Sequence, residues 1–385
     1  MGEKIKAEAV VRDRDSWQVE RIAPGALDAF IKKHPGVSLV DENKSNIEAL
    51  FLLRNPQYKF NKDYAVPLTE FSKQYESENF GNWFYFSWLN TLVRYLPEEL
   101  HLEVRTGRNR FLIADEEQKH FYEGHMAFLG MSVGSHVAIV TAMTGGAKYM
   151  KLADPDTLSG DNLNRVRSGF HAVGIKKAVV VARQIYEINP YAVLTLYLDG
   201  ITAENAEDIL ASTDLIVEEM DNMYWKLRVR ELAKEKGIPV LMGTDNGDGA
   251  IVDVERYDVS KDLPILNGLT KGLSAEKLKA MPPKDLPKVA GKIAGANLTV
   301  PKMLYSVSEV GKSLYSWPQL GTAANMCGSL ISMLARRIIN KDILIKSGRY
   351  SVNPDAIFES GYTSRWFSRK AALIRFLRKI MKDEI

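Results

Sequence analysis

Residues able to do chemistry gather in one stretch of the chain, between positions 130 and 222. Gly130-Met131-Ser132-Val133-Gly134-Ser135 closes an apolar run and directly precedes a helical stretch. Glycines at such a turn let the backbone approach phosphates, and the helix start adds free N–H groups and the positive end of its dipole. Gly130 and Gly134 alone read as a tight structural turn more readily than as a nucleotide site. Leu152-Ala153-Asp154-Pro155-Asp156 closes the next run. A carboxylate there can accept hydrogen bonds from both ribose hydroxyls of a nucleotide, NAD or ATP alike, and an exposed loop aspartate is an equal reading of the residue by itself. Three further segments carry amides, cations and acids: Ser159-Gly160-Asp161-Asn162-Leu163-Asn164-Arg165, Val173-Gly174-Ile175-Lys176-Lys177-Ala178, and Glu218-Glu219-Met220-Asp221-Asn222. Taken singly, each charged residue among them reads as a solvated surface group.

The elements that must position these residues follow from hydrophobic patterning. Apolar, strand-like runs lie at 125–131, 149–153, 192–198, 214–218, 239–243 and 250–254, and helical stretches at 135–145, 175–188, 205–212 and 225–236. Strand and helix in alternation predict an α/β fold, a Rossmann-like mostly parallel sheet with helices on both faces. In such a sheet ligands bind at the carboxyl ends of the strands, where the strand order reverses. The turn at Gly130, Asp154 and the segment at 218–222 all fall at those ends.

In this order, the segments resemble the ThiF/MoeB superfamily, which includes the activating enzymes for ubiquitin-like proteins. Its pattern runs glycine-rich turn, Asp-x-Asp, Asn-Leu-Asn-Arg, Val-Gly-x-x-Lys and Asp-x-Thr-Asp-Asn. The resemblance implies ATP-dependent adenylation of a carboxylate with release of pyrophosphate, and ATP and Mg²⁺ as cofactors. It implies that Asp154 holds the ribose, that Asn162 donates to the nucleotide, and that Arg165 and Lys177 neutralise the triphosphate. Asp221 is expected to bind Mg²⁺, which prefers one or two carboxylates plus phosphate oxygens and water. The spacing selects Lys177 over Lys176. Upstream, Arg108-Asn109-Arg110-Phe111-Leu112-Ile113 is similar to a family segment whose arginine reaches the nucleotide of a neighbouring subunit. Arg110 is the matching candidate, and a homodimer the implied assembly.

The departures are specific. Met131 and Ser132 stand within the usual glycine run, Val166 where glutamine often follows the arginine, and Glu218 in place of the first aspartate of the last element. The wording of the turn and of Ile216-Val217-Glu218-Glu219-Met220-Asp221 resembles the ThiF-like half of MoeY-type proteins. The broad resemblance covers roughly residues 105–340. Thioester-forming relatives place a nucleophilic cysteine in a crossover loop or inserted domain. The single cysteine here, Cys327, falls instead in a helical pattern and reads as a packed core residue, so no cysteine thioester step is expected. His171 reads as structural rather than as a general base.

The flanks bound the remaining expectations. Residues 1–95 read as an N-terminal accessory region of mixed helical pattern broken by Pro24, Pro35, Pro56 and Pro67. Residues 96–345 form the adenylating domain, and 346–385 a basic tail. The aromatic stretch 80–96 is too short and polar for a membrane span and predicts a buried helix. Residues 261–300, rich in Lys, Pro and Gly, predict a long crossing loop, and about 320–340 a helix. In the tail, Leu373, Ile374, Leu377, Ile380 and Met381 share a helical face at 364–382, which reads as packed on its own protein, with a membrane surface or an acidic partner as the alternative. A formal charge of +3 over 385 residues argues against nucleic acid as a partner, and no integral membrane segment is expected. The polar start Met1-Gly2-Glu3-Lys4-Ile5-Lys6 and the lone cysteine predict a cytoplasmic protein. The expected partner is a carboxylate substrate, with the C-terminus of a peptide or small ubiquitin-like protein as the candidate. Two rivals stand beside adenylation. One is an NAD-dependent oxidoreductase, which would leave Arg165, Lys177 and Asp221 without purpose. The other is a non-catalytic nucleotide-binding scaffold, which the thinned glycine turn favours.

Overall fold

The computed structural model describes residues 15–77, 79–307, 309–362 and 366–381. The polar start at residues 1–6 lies outside them. The chain divides into two compact units, residues 1–114 with 186–191, and residues 115–185 with 192–385.

The first unit carries β1 (Glu20–Ile22), α1 (Leu27–Lys33), β2 (Ser38–Asp41), α2 (Asn43–Arg54), α3 (Ala65–Ser72), β3 (Asn82–Phe86), β4 (Thr91–Tyr95) and α4 (Glu98–Thr106). Its sheet has the order β1-β3-β4-β2. The aromatic stretch at 80–96 is therefore not a buried helix but an antiparallel pair, with Phe84 opposite Val93. Phe84, Phe86 and Leu92 are buried, so two-residue alternation sets the structure where aromatic density suggested a helix. Asn90 turns the chain between the strands in a left-handed conformation (φ 51°) that asparagine tolerates.

The second unit begins with α5 (Asp115–Glu123), β5 (His125–Leu129), α6 (Val133–Met143), β6 (Tyr149–Ala153), α7 (Lys177–Ile188) and β7 (Val193–Tyr197). It continues through α8 (Ala206–Leu210), β8 (Leu215–Glu218), α9 (Met223–Lys236), β9 (Val240–Asn246) and β10 (Gly249–Glu255). Last come α10 (Ala275–Lys279), α11 (Leu286–Ala294), α12 (Pro301–Val307), α13 (Gly321–Ile339), β11 (Gly348–Val352), α14 (Asp355–Phe358) and α15 (Trp366–Met381). The sheet order is β11-β10-β9-β8-β5-β6-β7. Strands β9, β8, β5, β6 and β7 run parallel, and β10 and β11 add antiparallel pairs at one side. The chain leaves β5 toward β6 and β7, then returns to β8 on the other side of β5. That reversal opens a crevice at the carboxyl ends of β5 and β8.

Both faces of the sheet are covered, as the near-continuous apolar strands require. Ala127, Leu129, Ile216 and Val240 pack with Ile209 and Leu210 of α8 and Val229 and Ala233 of α9. On β9, Met242 packs toward α9 and the crossover, while Gly243 faces α13, where a methyl would lie 2.8 Å from Ile331 Cδ1. The region 261–300 is not a bare crossing loop: it holds α10 and α11, and Leu266, Ala275, Leu278 and Ile293 form a buried cluster with Leu227 and Met242. Its sparse apolar residues meet only in three dimensions, so no helical period shows along the chain. Two buried carboxylates of β10 anchor its start. Glu255 accepts from the Leu266 backbone N–H, and Asp253 accepts from Asn267 Nδ2 at 3.0 Å and from the Arg349 guanidinium. The tail helix α15 packs against α12, with Phe376 buried. The side chains of Leu377, Ile380 and Met381 lie outside the described residues, as do Ser364 and Lys382. Among the described residues no helix is long and apolar enough to cross a membrane.

Candidate active site

The site is assembled where four strands end. After β5 the chain turns at Gly130 with φ +94°, and a Cβ there would lie 2.5 Å from the Glu219 carbonyl oxygen, so only glycine fits. Gly134 lies within α6 and is under no such constraint: a methyl added there would have Glu219 Cγ as its nearest neighbour, at 3.6 Å. Ser132 stands at the helix start, which points the free N–H groups of α6 at the crevice.

Asp154, at the end of β6, is buried. Its Oδ2 accepts from the Met131 N–H at 2.5 Å and its Oδ1 from the Asp156 N–H at 2.8 Å. The carboxylate therefore braces the turn. Burial raises its pKa, against the N–H of Met131 and the charge of Lys177, which pull it down. Lone pairs remain on both oxygens for further donors.

Between β6 and α7, Gly160–Asn164 forms a short 3-10 turn. Asn162 is buried in it and accepts from the Ser159 N–H at 3.2 Å, which commits its carboxamide oxygen and leaves Nδ2 as the donor. Arg165 ends the turn. Its Nε donates to Ser132 Oγ at 3.2 Å, and its Nη1 to the Asp161 carbonyl at 3.2 Å and Asn164 Oδ1 at 2.9 Å. The guanidinium is thereby tied to the N-terminus of α6. Lys177, first residue of α7, reaches back to Asp156 Oδ2 at 2.8 Å. Lys176 is spent on the carbonyls of Pro155 and Leu198, so the structure, like the spacing, separates the two lysines.

The end of β8 divides its three acids among three environments. Glu218 is fully buried and paired with Lys226 at 3.0 Å and with Arg230, which also binds Glu255. Burial would push Glu218 up, but the two cations outweigh it and hold it below the ordinary range. Glu219 accepts from the Gly243 N–H at 2.7 Å, and burial raises its pKa well above the usual carboxylate value. Asp221 is exposed, next to Asn222, whose Oδ1 caps α9 by accepting from the Trp225 N–H at 3.1 Å. Among the described residues no group of three or more His, Cys, Asp and Glu side chains could hold a metal by itself.

Gly130, Gly134, Asp154, Asn162, Arg165, Lys177 and Asp221 all fall at this carboxyl edge. Arg110 belongs to the first unit, where it is exposed and donates to the Leu53 carbonyl at 3.4 Å. Sequence reasoning missed Ser132 as a partner of Arg165 and Asp156 as a partner of Lys177. It also missed Asp245 near the end of β9, although the strand-end rule itself points there. Asp245 accepts from Gln319 Nε2 at 3.3 Å and from Cys327 Sγ at 3.7 Å, and burial pushes it up to about 6. Cys327 is buried in α13, and burial, with Glu219 and Asp245 nearby, raises its thiol far above the range in which thiolate forms.

Strand order, switch point and helix-start turn define a doubly wound α/β protein with an anion-binding geometry at its crevice. The ThiF family pattern matches residues 106–368, well over half of the chain, and the chain belongs to the ThiF family. An uncharacterized protein of Mycobacterium tuberculosis is 34% identical over 283 residues, covering 73% of this chain and 39% of that protein. The tRNA threonylcarbamoyladenosine dehydratase of Escherichia coli is 28% identical over 160 residues, covering 40% of this chain and 58% of its own length. The sulfur carrier protein ThiS adenylyltransferase of Bacillus subtilis is 27% identical over 135 residues, covering 34% of this chain and 40% of its own. The chain thus spans less than two-thirds of the length of each of these relatives.

Proposed function

We propose that the protein is an adenylyltransferase that activates a carboxylate with ATP and releases pyrophosphate, without a cysteine thioester step. A carboxylate oxygen attacks the α-phosphorus, the bond to the bridging oxygen breaks, and pyrophosphate leaves as an acyl-adenylate forms. The observation that carries this reading is that Arg165 bonds Ser132 at the α6 N-terminus while Lys177 bonds Asp156 in the loop whose Asp154 holds the Met131 N–H. Two cations and a helix start suit the triphosphate, whose charge shifts onto the leaving pyrophosphate. Asp154 would accept from ribose hydroxyls, Asn162 Nδ2 would donate to the nucleotide, and Asp221 would hold Mg²⁺. Mg²⁺, when bound, would offset phosphate charge. An NAD-dependent redox reaction would leave these cations idle.

The naming of the relatives as ThiS adenylyltransferase and as a dehydratase of threonylcarbamoyladenosine supports a carboxylate substrate, and we favour the C-terminus of a peptide or small protein. A cytoplasmic homodimer, with Arg110 reaching the nucleotide of the second copy, completes the reading. The buried, strongly protonated Cys327 is a poor acyl acceptor, which supports direct transfer from the adenylate. The test is ATP–pyrophosphate exchange with candidate peptides. Exchange that Arg165→Ala and Lys177→Ala both abolish supports the assignment. ATP binding with no exchange for any carboxylate would favour the scaffold reading, and unchanged exchange in both variants would remove the assigned residues.

A further inference from the structure

We propose that His136 is a positioning residue for Arg165, and that α6 thereby registers the arginine against the same helix start that faces the phosphates. This inference rests on the reading of Arg165 as a ligand of the triphosphate.

His136 lies in the first turn of α6 and is completely buried. Its Nε2 is hydrogen-bonded to the backbone carbonyl of Arg165. A carbonyl can only accept, so Nε2 carries the proton. Burial, with the Arg167 guanidinium nearby, lowers its pKa, against the bond to Arg165, and Nδ1 is buried without a hydrogen-bond partner among the described residues. Arg165 itself sits at the end of a short 3-10 turn, with φ −143° and ψ −20°, and its N–H donates to the Asn162 carbonyl at 3.0 Å. Besides these contacts within its own turn, two contacts come from one end of α6. Ser132 holds the side chain at Nε and His136 holds the carbonyl, four residues apart and hence stacked one turn above the other. The cation and the helix N-terminus are thus fixed relative to each other through α6.

Helix α13 closes the arrangement from behind with two glycines seven residues apart on one face. A methyl at Gly328 would lie 2.5 Å from His136 Cβ, and one at Gly321 would lie 2.8 Å from the Asn164 carbonyl oxygen. Asn164 Nδ2 also donates to the Gln319 carbonyl at 2.8 Å, just before α13 begins. The imidazole therefore has no room to swing toward α13, and the turn carrying Arg165 cannot retract toward it. Rotamers locked by packing in this way hold a charged group at small entropic cost when a ligand arrives.

The experiment is calorimetric titration of the full chain with Mg²⁺-ATP and, separately, with AMP, which lacks the β- and γ-phosphates. The variants are His136→Leu, His136→Gln, Arg165→Ala and the double variant His136→Leu/Arg165→Ala. His136→Leu is expected to weaken ATP about tenfold, the worth of one misplaced charge-assisted contact, while AMP changes by less than about twofold. Glutamine, whose Nε2 reaches about as far as that of histidine, should restore most of the loss. In the Arg165→Ala background the leucine change should add nothing, because the residue acts through Arg165. Equal losses for ATP and AMP, the same added loss in the Arg165→Ala background, or no loss at all would each overturn the proposal. Unchanged ATP binding in Arg165→Ala overturns the assignment of Arg165 itself, a result separable from the others. Should the leucine variant not fold, His136→Asn, polar but too short to reach the carbonyl, takes its place with the same expectation.

Discussion

Lys177 Nζ lies 2.8 Å from Asp156 Oδ2, with the lysine side chain 10% exposed and the aspartate 64% exposed. A largely buried cation is thus held by an anion that solvent reaches. Such a pair is worth at most about 1 kcal/mol, so an incoming phosphate can displace the carboxylate at little cost. Lys177→Ala should weaken Mg²⁺-ATP at least about tenfold. Asp156→Asn should instead tighten it by up to about fivefold, since no ion pair then has to be broken. Titration calorimetry of the two variants reads both directions, and a loss of affinity in Asp156→Asn would mean that the carboxylate serves the nucleotide rather than merely parking the lysine.

Asp245 gives the site a proton-linked signature. Burial pushes its pKa from 3.8 to about 6 in the fold, with Cys327, Gln319 and the Arg165 charge pulling the other way. The folded state therefore binds this proton more tightly than the unfolded chain, and stability falls as pH rises through that window. A shift of this size corresponds to an effect on the order of 2–3 kcal/mol at most. Asp245→Asn should be more stable than the parent near pH 7.5, with the advantage shrinking toward pH 4. Glu219, raised chiefly by burial and also by the Asp245 charge, is relieved of that charge in the variant, so its change adds to the gap in the same direction. Urea midpoints across pH 4–8 check this, and a gap that does not vary with pH would refute it.

Glu218 marks where a motif position serves structure. Its carboxylate is shared between Lys226 and Arg230, all three buried, and Arg230 continues to Glu255, which in turn holds Tyr257 Oη and the Leu266 N–H. Replacing it with alanine leaves Lys226 without its carboxylate and takes from Arg230 one of its two anions, Glu255 remaining, at a cost of about 3–5 kcal/mol. Glu218→Ala should therefore shift the denaturation midpoint strongly. Glu218→Gln should cost less, because the amide oxygen still accepts one of the two donors. Equal stability of the alanine variant and the parent would mean that the network carries no net energy.

Much of this arrangement was legible in the residue order. The run at 149–153 coincides with β6, and the other predicted strands of the sheet fall within a few residues of their observed bounds, because strands buried on both faces leave uninterrupted apolar runs. The ordered polar segments fell at strand ends for the same reason. What could not be read was anything fixed by long-range pairing. Asp245 meets Cys327 across 82 positions and Arg165 meets Ser132 across 33, and no local period encodes either. At 80–96, aromatic density pointed to a helix, whereas the alternation of Phe84 and Phe86 is a strand signal. At 261–300 the apolar residues that hold the crossover are too sparse to show a period, and buried carboxylates on β10 do much of the anchoring.

Gly130 and Gly134 look alike in sequence and differ in what they do. At Gly130 the backbone has φ +94° and the space for a Cβ is occupied by the Glu219 carbonyl, 2.5 Å away. Alanine there meets backbone strain of about 1 kcal/mol or more together with a clash that must push the turn off Asp154 and the β8 end. At Gly134 the backbone is helical, and an added methyl meets nothing nearer than Glu219 Cγ at an ordinary 3.6 Å, with Met131 Cε at 3.7 Å. Alanine there should stabilise α6 by up to about 1 kcal/mol through helix propensity. The turn thus needs one glycine, which explains how Met131 and Ser132 stand within it: Met131 supplies the N–H that Asp154 holds, and Ser132 supplies the hydroxyl that Arg165 holds. Gly130→Ala should abolish ATP binding and lower the melting temperature, while Gly134→Ala should raise it and leave ATP affinity within about threefold of the parent. Thermal melts and ATP titrations of the two variants decide the matter: a Gly134→Ala protein that folds well but no longer binds ATP would show that the phosphates approach the backbone at Gly134 and not at the Gly130 turn.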